Sequence, residues 1–480
     1  MGMACRWICA GMLAWLLAGC TLGPDFARPE APATDRYTAQ GDGQATPEVQ
    51  GEAQHFEAGA APTAGWWQLF GSTALDTLVT QGLQHNQGLV AAEASLRQSQ
   101  SALRAGYGVF YPQLSAGVGA SREKFSPALF GSNTPGPTFN LFTLSASVSY
   151  ALDIFGGQRR LVEGLAAETD LQQALRQGYA LTLSGNLVNT AIARAAYLSQ
   201  QADTEALIAV QRAQLGLAEH QVEAGTVPFA NVLALRGQVA QLETTLPPLQ
   251  QRIDQAEHLL ATLSGALPSQ WHPLTLPFAE LQLPQHLPLS LPAALVHQRP
   301  DILAAEAALH SASAAIGAAT AAQFPDFTLN GSYGQYSTSS RSLFAGNGNF
   351  WNLGVDVAAP LLDGGTRREL TQAARDAYAQ SQAQYRQTVL EAFGQVADTL
   401  RALQHDAETL QAADAAEVAA ENAWRLLQVN EQAGLANGLQ VLAAQGQYLQ
   451  ARIASTQARA LRLQNTTAYF IALGGEGPGR

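Results

Sequence analysis

The chain has 480 residues, 47% hydrophobic and 13% charged, a composition that supports a large core and excludes disorder over most of its length. The formal net charge is −12 and no Lys/Arg-rich run occurs, which excludes an extended nucleic-acid-binding surface. Cys5, Cys9 and Cys20 are the only cysteines and Met1, Met3 and Met12 the only methionines, so beyond residue 20 neither a disulfide nor a thiolate metal site can form, and no metal is expected.

At the start of the chain Arg6 precedes an apolar stretch, Trp7 to Leu17, that is short for a spanning helix of ~20 residues but suits the core of a signal peptide. Residues 1–19 are therefore expected to be an export signal. Leu16-Leu17-Ala18-Gly19-Cys20 resembles the lipobox of bacterial lipoproteins. That resemblance implies cleavage before Cys20 and a covalent lipid on its sulfur, with no other cofactor. Thr21 follows, where an Asp would by analogy imply retention at the inner membrane, so the outer membrane is the expected destination. Residues 20–71 form a lipidated N-terminal segment.

The remainder is one unit written twice. Ala91-Ala92-Glu93-Ala94-Ser95-Leu96 recurs as Ala304-Ala305-Glu306-Ala307-Ala308-Leu309, and Gly156-Gly157-Gln158-Arg159-Arg160 recurs as Gly364-Gly365-Thr366-Arg367-Arg368. Gly225, Val232-Leu233, Gly237-Gln238 and Gly265 return at a constant offset of 209 as Gly434, Val441-Leu442, Gly446-Gln447 and Gly474. The first repeat spans 72–265, a Pro-rich connector 266–298, the second repeat 299–475 and a tail 476–480.

Each repeat reads as helix, β-hairpin and long helical hairpin, so the fold class is α+β. Residues 72–108 are helical in composition, and Pro112 ends that helix near Phe110. A hairpin over 113–152 follows. Phe142, Leu144, Ala146, Val148, Tyr150 and Leu152 alternate with Thr143, Ser145, Ser147 and Ser149, a period of two. In the second repeat a hairpin over 326–360 shows the same alternation at Trp351, Leu353, Val355 and Val357. No proline occurs between Gly157 and Pro228, and residues 158–224 would make roughly 100 Å of helix if unbroken. Helical hairpins over 158–264 and 366–473 are therefore expected, reversing at Gly225 to Asn231 and Gly434 to Gly438. Pro247-Pro248 should interrupt the returning helix of the first hairpin, whereas Thr456 and Gln457 leave the second intact.

Helices of this kind alone would suit a periplasmic coiled-coil stalk. The strands point elsewhere: they match membrane strands of ~9 to 11 residues with one lipid-facing and one lumen-facing side. Tyr111, Phe139, Phe324 and Phe350-Trp351 near their ends suggest an aromatic girdle. A soluble β-layer packed on its apolar face is the alternative. Four strands cannot close a barrel, because the smallest membrane barrels use about eight and open edges in lipid cost several kcal/mol per backbone group. Three chains of four strands would supply twelve.

Cys20-Thr21-Leu22-Gly23-Pro24-Asp25-Phe26, Gly65-Trp66-Trp67-Gln68-Leu69-Phe70, Asn86 and Leu152-Asp153-Ile154-Phe155-Gly156 resemble the lipoprotein branch of the TolC-like outer-membrane efflux family, the NodT/OprM type. Gln298-Arg299-Pro300-Asp301-Ile302 and Leu361-Leu362-Asp363-Gly364-Gly365 extend the resemblance along the chain. It implies a homotrimeric β-barrel in outer-membrane lipid, continuous with an α-helical barrel in the periplasm. It also implies a periplasmic adaptor (membrane fusion protein) and an inner-membrane efflux pump as partners, no nucleic acid, and export of small toxic compounds. Metal-ion efflux and type I protein secretion are alternatives within that family, and a coiled-coil adaptor lipoprotein or a lipoprotein hydrolase outside it. No nucleophile elbow, Walker loop or His-Glu-x-x-His motif is present, so no catalysis is expected.

The resemblance places the periplasmic tip and gate at Gly225, Pro228, Asn231, Gly434, Gly438, Gln440 and Ala443. Relatives carry acidic side chains just after the two turns; here the matching positions are Asn231, Gln440 and Ala443, none ionisable. Closure is therefore expected to rest on Leu439, Val441 and Leu442 and on neutral hydrogen bonds from Asn231 and Gln440. The orientation of Glu219, Glu223 and Glu431 is open.

Overall fold

The computed structural model describes residues 21–126, 131, 135–345 and 348–475. The expected signal peptide, Cys20 and the tail 476–480 lie outside the described residues. In chain order the elements are strand β1 (His55–Ala58), helices α1 (Thr73–His85) and α2 (Gln87–Gly106), and strands β2 (Gln113–Lys124) and β3 (Thr138–Leu152). Helices α3 (Gly157–Glu223), α4 (Phe229–Glu243) and α5 (Leu246–Leu263) follow, then strand β4 (His286–Leu289), the short α6 (Pro292–Leu295) and α7 (Pro300–Ala321). Strands β5 (Asp326–Ser337) and β6 (Asn349–Ala358) and helices α8 (Thr366–Gln432) and α9 (Gly438–Ala472) complete the chain.

The two long helices are each 67 residues, as the absence of proline allows. Both begin under an aspartate. Asp153 accepts from the backbone N–H of Gln158 and Arg159, each at 3.0 Å, and Asp363 from those of Gly365 at 2.9 Å and Arg367 at 3.1 Å. A carboxylate here satisfies donors that a helix start leaves unpaired and sits at the positive end of its dipole.

One element departs from expectation and another follows it. The helix over 72–108 is two helices, because Asn86 leaves helical geometry at ψ 122°. Its Oδ1 accepts from Leu89 N–H at 3.0 Å, capping α2, while Nδ2 donates to the Leu263 carbonyl at 3.0 Å. The return of the first helical hairpin is interrupted at Thr244 and Thr245, leaving α4 and α5 as separate helices with Leu246-Pro247-Pro248 at the start of α5. Pro tolerates a first turn, where its missing N–H has no partner to lose. The equivalent α9, without proline, is continuous over 35 residues.

The described chain forms two compact units, each drawing on both repeats. One comprises residues 21–28, 96–172 and 305–385, with a four-stranded antiparallel sheet of order β2-β3-β5-β6. Both hairpin loops lie at one end of that sheet and the helical connections at the other. The second unit comprises 29–95, 173–304 and 386–475. Its core gathers Trp66, Phe70, Leu75, Leu187, Ile192 and Phe470, and Trp66 stacks on Phe470 with ring centroids 5.3 Å apart. In this unit β1 pairs in parallel with β4, His55 opposite His286, tying the N-terminal segment to the Pro-rich connector. Strands of four residues with a proline in one of them carry no readable alternation, and the sequence gives no sign of this pairing.

Helix α7 is the one helix among the described residues long and apolar enough to cross a membrane, but half of it is buried. It also carries Glu306 and His310, both bonded to side chains from other segments, which marks it as a packed core helix.

Candidate functional site

In the sheet, registry separates two chemistries. Leu114, Val148, Gly331 and Leu353 form one cross-strand row and Ala116, Ala146, Tyr333 and Trp351 another, on the same face. The opposite face carries the row Ser115, Ser147, Ser332 and Asn352. Ser115 and Ser147 share a hydrogen bond of 2.8 Å, Ser332 donates to Asn352 at 2.8 Å, and Asn330 donates to Asp356. The apolar face is open: Leu114, Val118 and Leu353 are 78, 81 and 78% exposed. A face this apolar needs lipid or a partner, and the edges β2 and β6 need further strands.

The expected girdle is only partly present. Trp351 lies on the apolar face, but Phe350 and Phe139 fall on the polar face, where Phe350 stacks on Tyr336 at 4.1 Å. Phe324 instead packs against Phe155 at 4.7 Å. The period of two assigns neighbouring aromatics to opposite faces, and proximity to a strand end does not override it.

The two helical turns share one geometry. Gly225 has φ +71° and donates to the Val222 carbonyl at 2.9 Å, while Thr226 N–H reaches back to Gln221 at 2.9 Å. Gly434 has φ +72° and donates to Glu431 at 2.9 Å, while Leu435 N–H reaches Asn430 at 2.7 Å. Both are Schellman terminations, which need a left-handed residue and so select glycine. The next helix starts differently in the two turns. Pro228 precedes α4 without a side-chain cap, whereas its repeat counterpart Asn437 forms a full capping box with Gln440. Asn437 accepts from Gln440 N–H at 2.9 Å, and Gln440 Oε1 accepts from Asn437 N–H at 3.0 Å. Gln440 thus takes part in its own helix start. Asn231 and Ala443 are exposed, as is Gln440. Val441 is buried and Leu442 packs beside Leu207, Val210 and Leu449, within the chain's own helical layer. Gly438 begins α9 near Leu217 of α3, where an added Cβ would lie 4.0 Å from that side chain.

The acidic side chains near the turns also acquire positions. Glu219 pairs with Arg236 at 2.7 Å, bridging α3 and α4, and Glu223 lies 3.5 Å from His220 on its own helix. Further along the helices, the buried Asp203 of α3 pairs with Arg452 of α9. Arg452 lies over the Tyr448 ring at 5.3 Å, and Tyr448 stacks on Trp424 of α8 at 5.3 Å. Burial lowers the Arg452 pKa, but the hydrogen bond to Asp203 outweighs it and keeps the guanidinium charged. Sequence reasoning missed Asn437 and this brace; Asn437 followed three residues later by Gln440 was a legible capping signal.

Directly after Cys20, the N-terminal residues are clasped in the first unit. Arg160, 4% exposed, pairs with Asp25 and Glu163, each at 2.7 Å, and its Nε donates to the Leu22 carbonyl at 3.1 Å. Glu163 also bonds His310 at 2.9 Å, and Arg28 pairs with Glu306 at 2.7 Å. Gly23 has φ +90°, and a Cβ there would lie 2.4 Å from Gly317 Cα, so two backbones touch. The Arg299 motif has its own role in the second unit. Buried Arg299 holds Asp301 at 2.7 Å, Gln395 at 2.8 Å and the Ala472 carbonyl at the end of α9 at 2.6 Å.

Open-edged hairpins with one apolar and one polar face, continued by two 67-residue helices and reversed at two glycine turns, define the subunit of a membrane channel. The chain belongs to the outer membrane efflux protein family, whose model matches residues 78–266 and 291–475. It is 30% identical over 418 residues, 85% of this chain and 87% of the relative, to the pyoverdine export outer membrane protein OpmQ of Pseudomonas aeruginosa. It is 28% identical over 471 residues, 96% of this chain and 94% of the relative, to the toluene efflux pump outer membrane protein TtgC of Pseudomonas putida. Among solved structures, the outer-membrane channel OprN superposes with a TM-score of 0.83 at 25% identity, covering 95% of this chain and 99% of that one. The protein is an outer-membrane efflux channel, not an enzyme, of a family that forms trimeric channels within efflux pumps.

Proposed function

We propose that this chain forms, as a homotrimer, the passive outer-membrane duct of a tripartite efflux system for small toxic compounds, held to the membrane also by a lipid on Cys20. The observation that carries this reading is the row Ser115, Ser147, Ser332 and Asn352, which presents hydroxyls and an amide to one side of a sheet whose other side is apolar. Three such sheets give twelve strands, a closed barrel with a hydrated lumen and no edge in lipid. A polar lumen lets unlike solutes pass, in keeping with similarity to relatives named for pyoverdine export and toluene efflux alike. Energy and selectivity then belong to an inner-membrane pump, delivered through a periplasmic adaptor docking on the helical turns at Gly225 and Gly434.

Three experiments test the reading. Planar-bilayer recording of the purified protein should give a stable ohmic conductance, with light scattering showing three chains per detergent particle; a monomer without conductance overturns the duct. A deletion strain should become sensitive to a set of small toxic compounds, and unchanged sensitivity across solvents, dyes and antibiotics rejects the cargo class. Cys20→Ser should abolish palmitate incorporation, and labelling that persists rejects the lipid site.

A further inference from the structure

The only basic side chains among the described residues of the four-stranded sheet are Arg122 and Lys124, and Lys124 is the sole lysine of the whole chain. Both are exposed. Both continue the even-numbered face of β2, the one that carries Leu114, Ala116 and Val118, with Arg122 opposite Asn140 and Lys124 opposite Thr138. Glu123, between them, lies on the polar face, where its carboxylate accepts from Ser121 at 2.7 Å. The cations thus face the membrane side and the carboxylate the lumen side.

Their height follows from strand geometry. On β3 the apolar face runs from Leu152 to Phe142, which at ~3.4 Å per residue and a tilt of ~40° spans about 26 Å along the membrane normal, the height of the apolar band of a membrane barrel. Ala120, opposite Phe142, closes that band on β2, and on β5 and β6 the same face turns polar at Gln335 and Asn349. Arg122 lies about 5 Å beyond the edge and Lys124 about 10 Å, which is the headgroup layer and its outer margin. Long aliphatic stems let both side chains lie along the apolar band while the charges reach that layer. This is the hairpin-loop end of the sheet, away from the helices, and no strand carries a base at the other end of the band. In the duct reading, the loop end faces outward.

We propose that Arg122 and Lys124 bind the phosphate groups of outer-leaflet lipids, one cationic pair per chain and three around the trimer. Paired cations suit a phosphate monoester such as those of lipid A, since guanidinium and ammonium can hold neighbouring oxygens of one group. The proposal rests on the duct reading, and conductance measured on the same preparation separates failure of one from failure of the other.

The test uses the lone lysine. The unmodified trimer is reconstituted in phosphatidylcholine bilayers with or without lipid A, exposed to an amine-reactive reagent, and labelling of the Lys124 peptide is read by mass spectrometry. Lipid A should slow labelling of Lys124 at least about fivefold, and inorganic phosphate should not. R122Q should lose most of that protection, and R122Q/K124Q should co-purify with at least about fivefold less lipid A in native mass spectrometry, while E123Q matches the parent. Equal labelling with and without lipid A in a conducting trimer overturns the proposal, and so does equal protection by inorganic phosphate. Should the double variant not assemble, the labelling of the unmodified protein still decides.

Discussion

Phe26 lies flat on the imidazole of His310, with ring centroids 4.3 Å apart and planes within 13°. The same imidazole holds Glu163, which holds Arg160, which holds Asp25, so the residues that follow Cys20 close a loop of contacts onto α3 and α7. Arg160 is the hub because it alone binds two carboxylates and the Leu22 carbonyl while nearly excluded from solvent. Arg160→Ala should leave Glu163 without its cation and weaken docking of residues 21–28 by about 2 to 4 kcal/mol. Hydrogen exchange at Leu22, whose N–H bonds the Phe155 carbonyl at 3.1 Å, would accelerate accordingly; unchanged protection would count against the clasp.

The clasp should also report pH with a definite sign. Burial pushes the Glu163 carboxyl up, but hydrogen bonds and charge from Arg160 and His310 outweigh it and hold the carboxyl below the ordinary range. A carboxyl with a depressed folded pKa contributes stability that is complete above the unfolded value of about 4.3 and is lost as pH falls through the folded value. Because ordinary carboxyls elsewhere titrate over the same range, the diagnostic comparison is Glu163→Gln, which should flatten the acid limb of Leu22 protection. Parallel acid limbs in parent and variant would refute this.

At the helical turns, Gly225→Ala and Gly434→Ala should each cost about 1 kcal/mol through backbone strain alone, because an added Cβ meets nothing within 4 Å at either position. Asn437→Ala should cost a further ~1 kcal/mol by removing the cap, whereas Pro228→Ala should change less, having no cap to lose. Hydrogen exchange at Thr226 and Leu435 measures each effect, and equal sensitivity of Pro228 and Asn437 would contradict the asymmetry.

The brace between α3 and α9 should be strongly coupled. Asp203→Leu removes the carboxylate from Arg452, whose side chain is 37% exposed and so partly solvated, and should destabilise the protein by about 1 to 2 kcal/mol, while Asp203→Leu/Arg452→Met should recover most of that loss. Thermal unfolding of the four proteins in the cycle gives the coupling energy, and additive losses would show that the pair is incidental.

The tip should respond weakly to divalent cations. Asn231, Gln440 and Ala443 are exposed and uncharged, and Gln440 is engaged in its cap. Ala443→Asp would place three carboxylates at one level of the trimer and should sensitise the conductance to divalent ions added on the periplasmic side. Strong block of the unmodified channel at low divalent concentration, unchanged by Ala443→Asp, would reject a neutral tip.

The sequence by itself determined whatever is periodic or local. The alternation from Phe142 to Leu152 assigned one apolar and one polar face, because side chains in a strand have only two directions. Freedom from proline set the 67-residue helices, Pro247-Pro248 marked the interruption before α5, and Gly225 and Gly434 marked the reversals. Only the tertiary structure decided which distant segments meet. Arg28 finds Glu306 across 278 positions and Asp203 finds Arg452 across 249, and β1 finds β4 in parallel. It also turned Phe350 to the polar face and committed Gln440 to a cap. Such pairings carry no period: an arginine on an Ala/Gln-rich helix reads as a solvated charge until the fold removes water from it and brings up a carboxylate, and that choice is made by packing between segments, not along them.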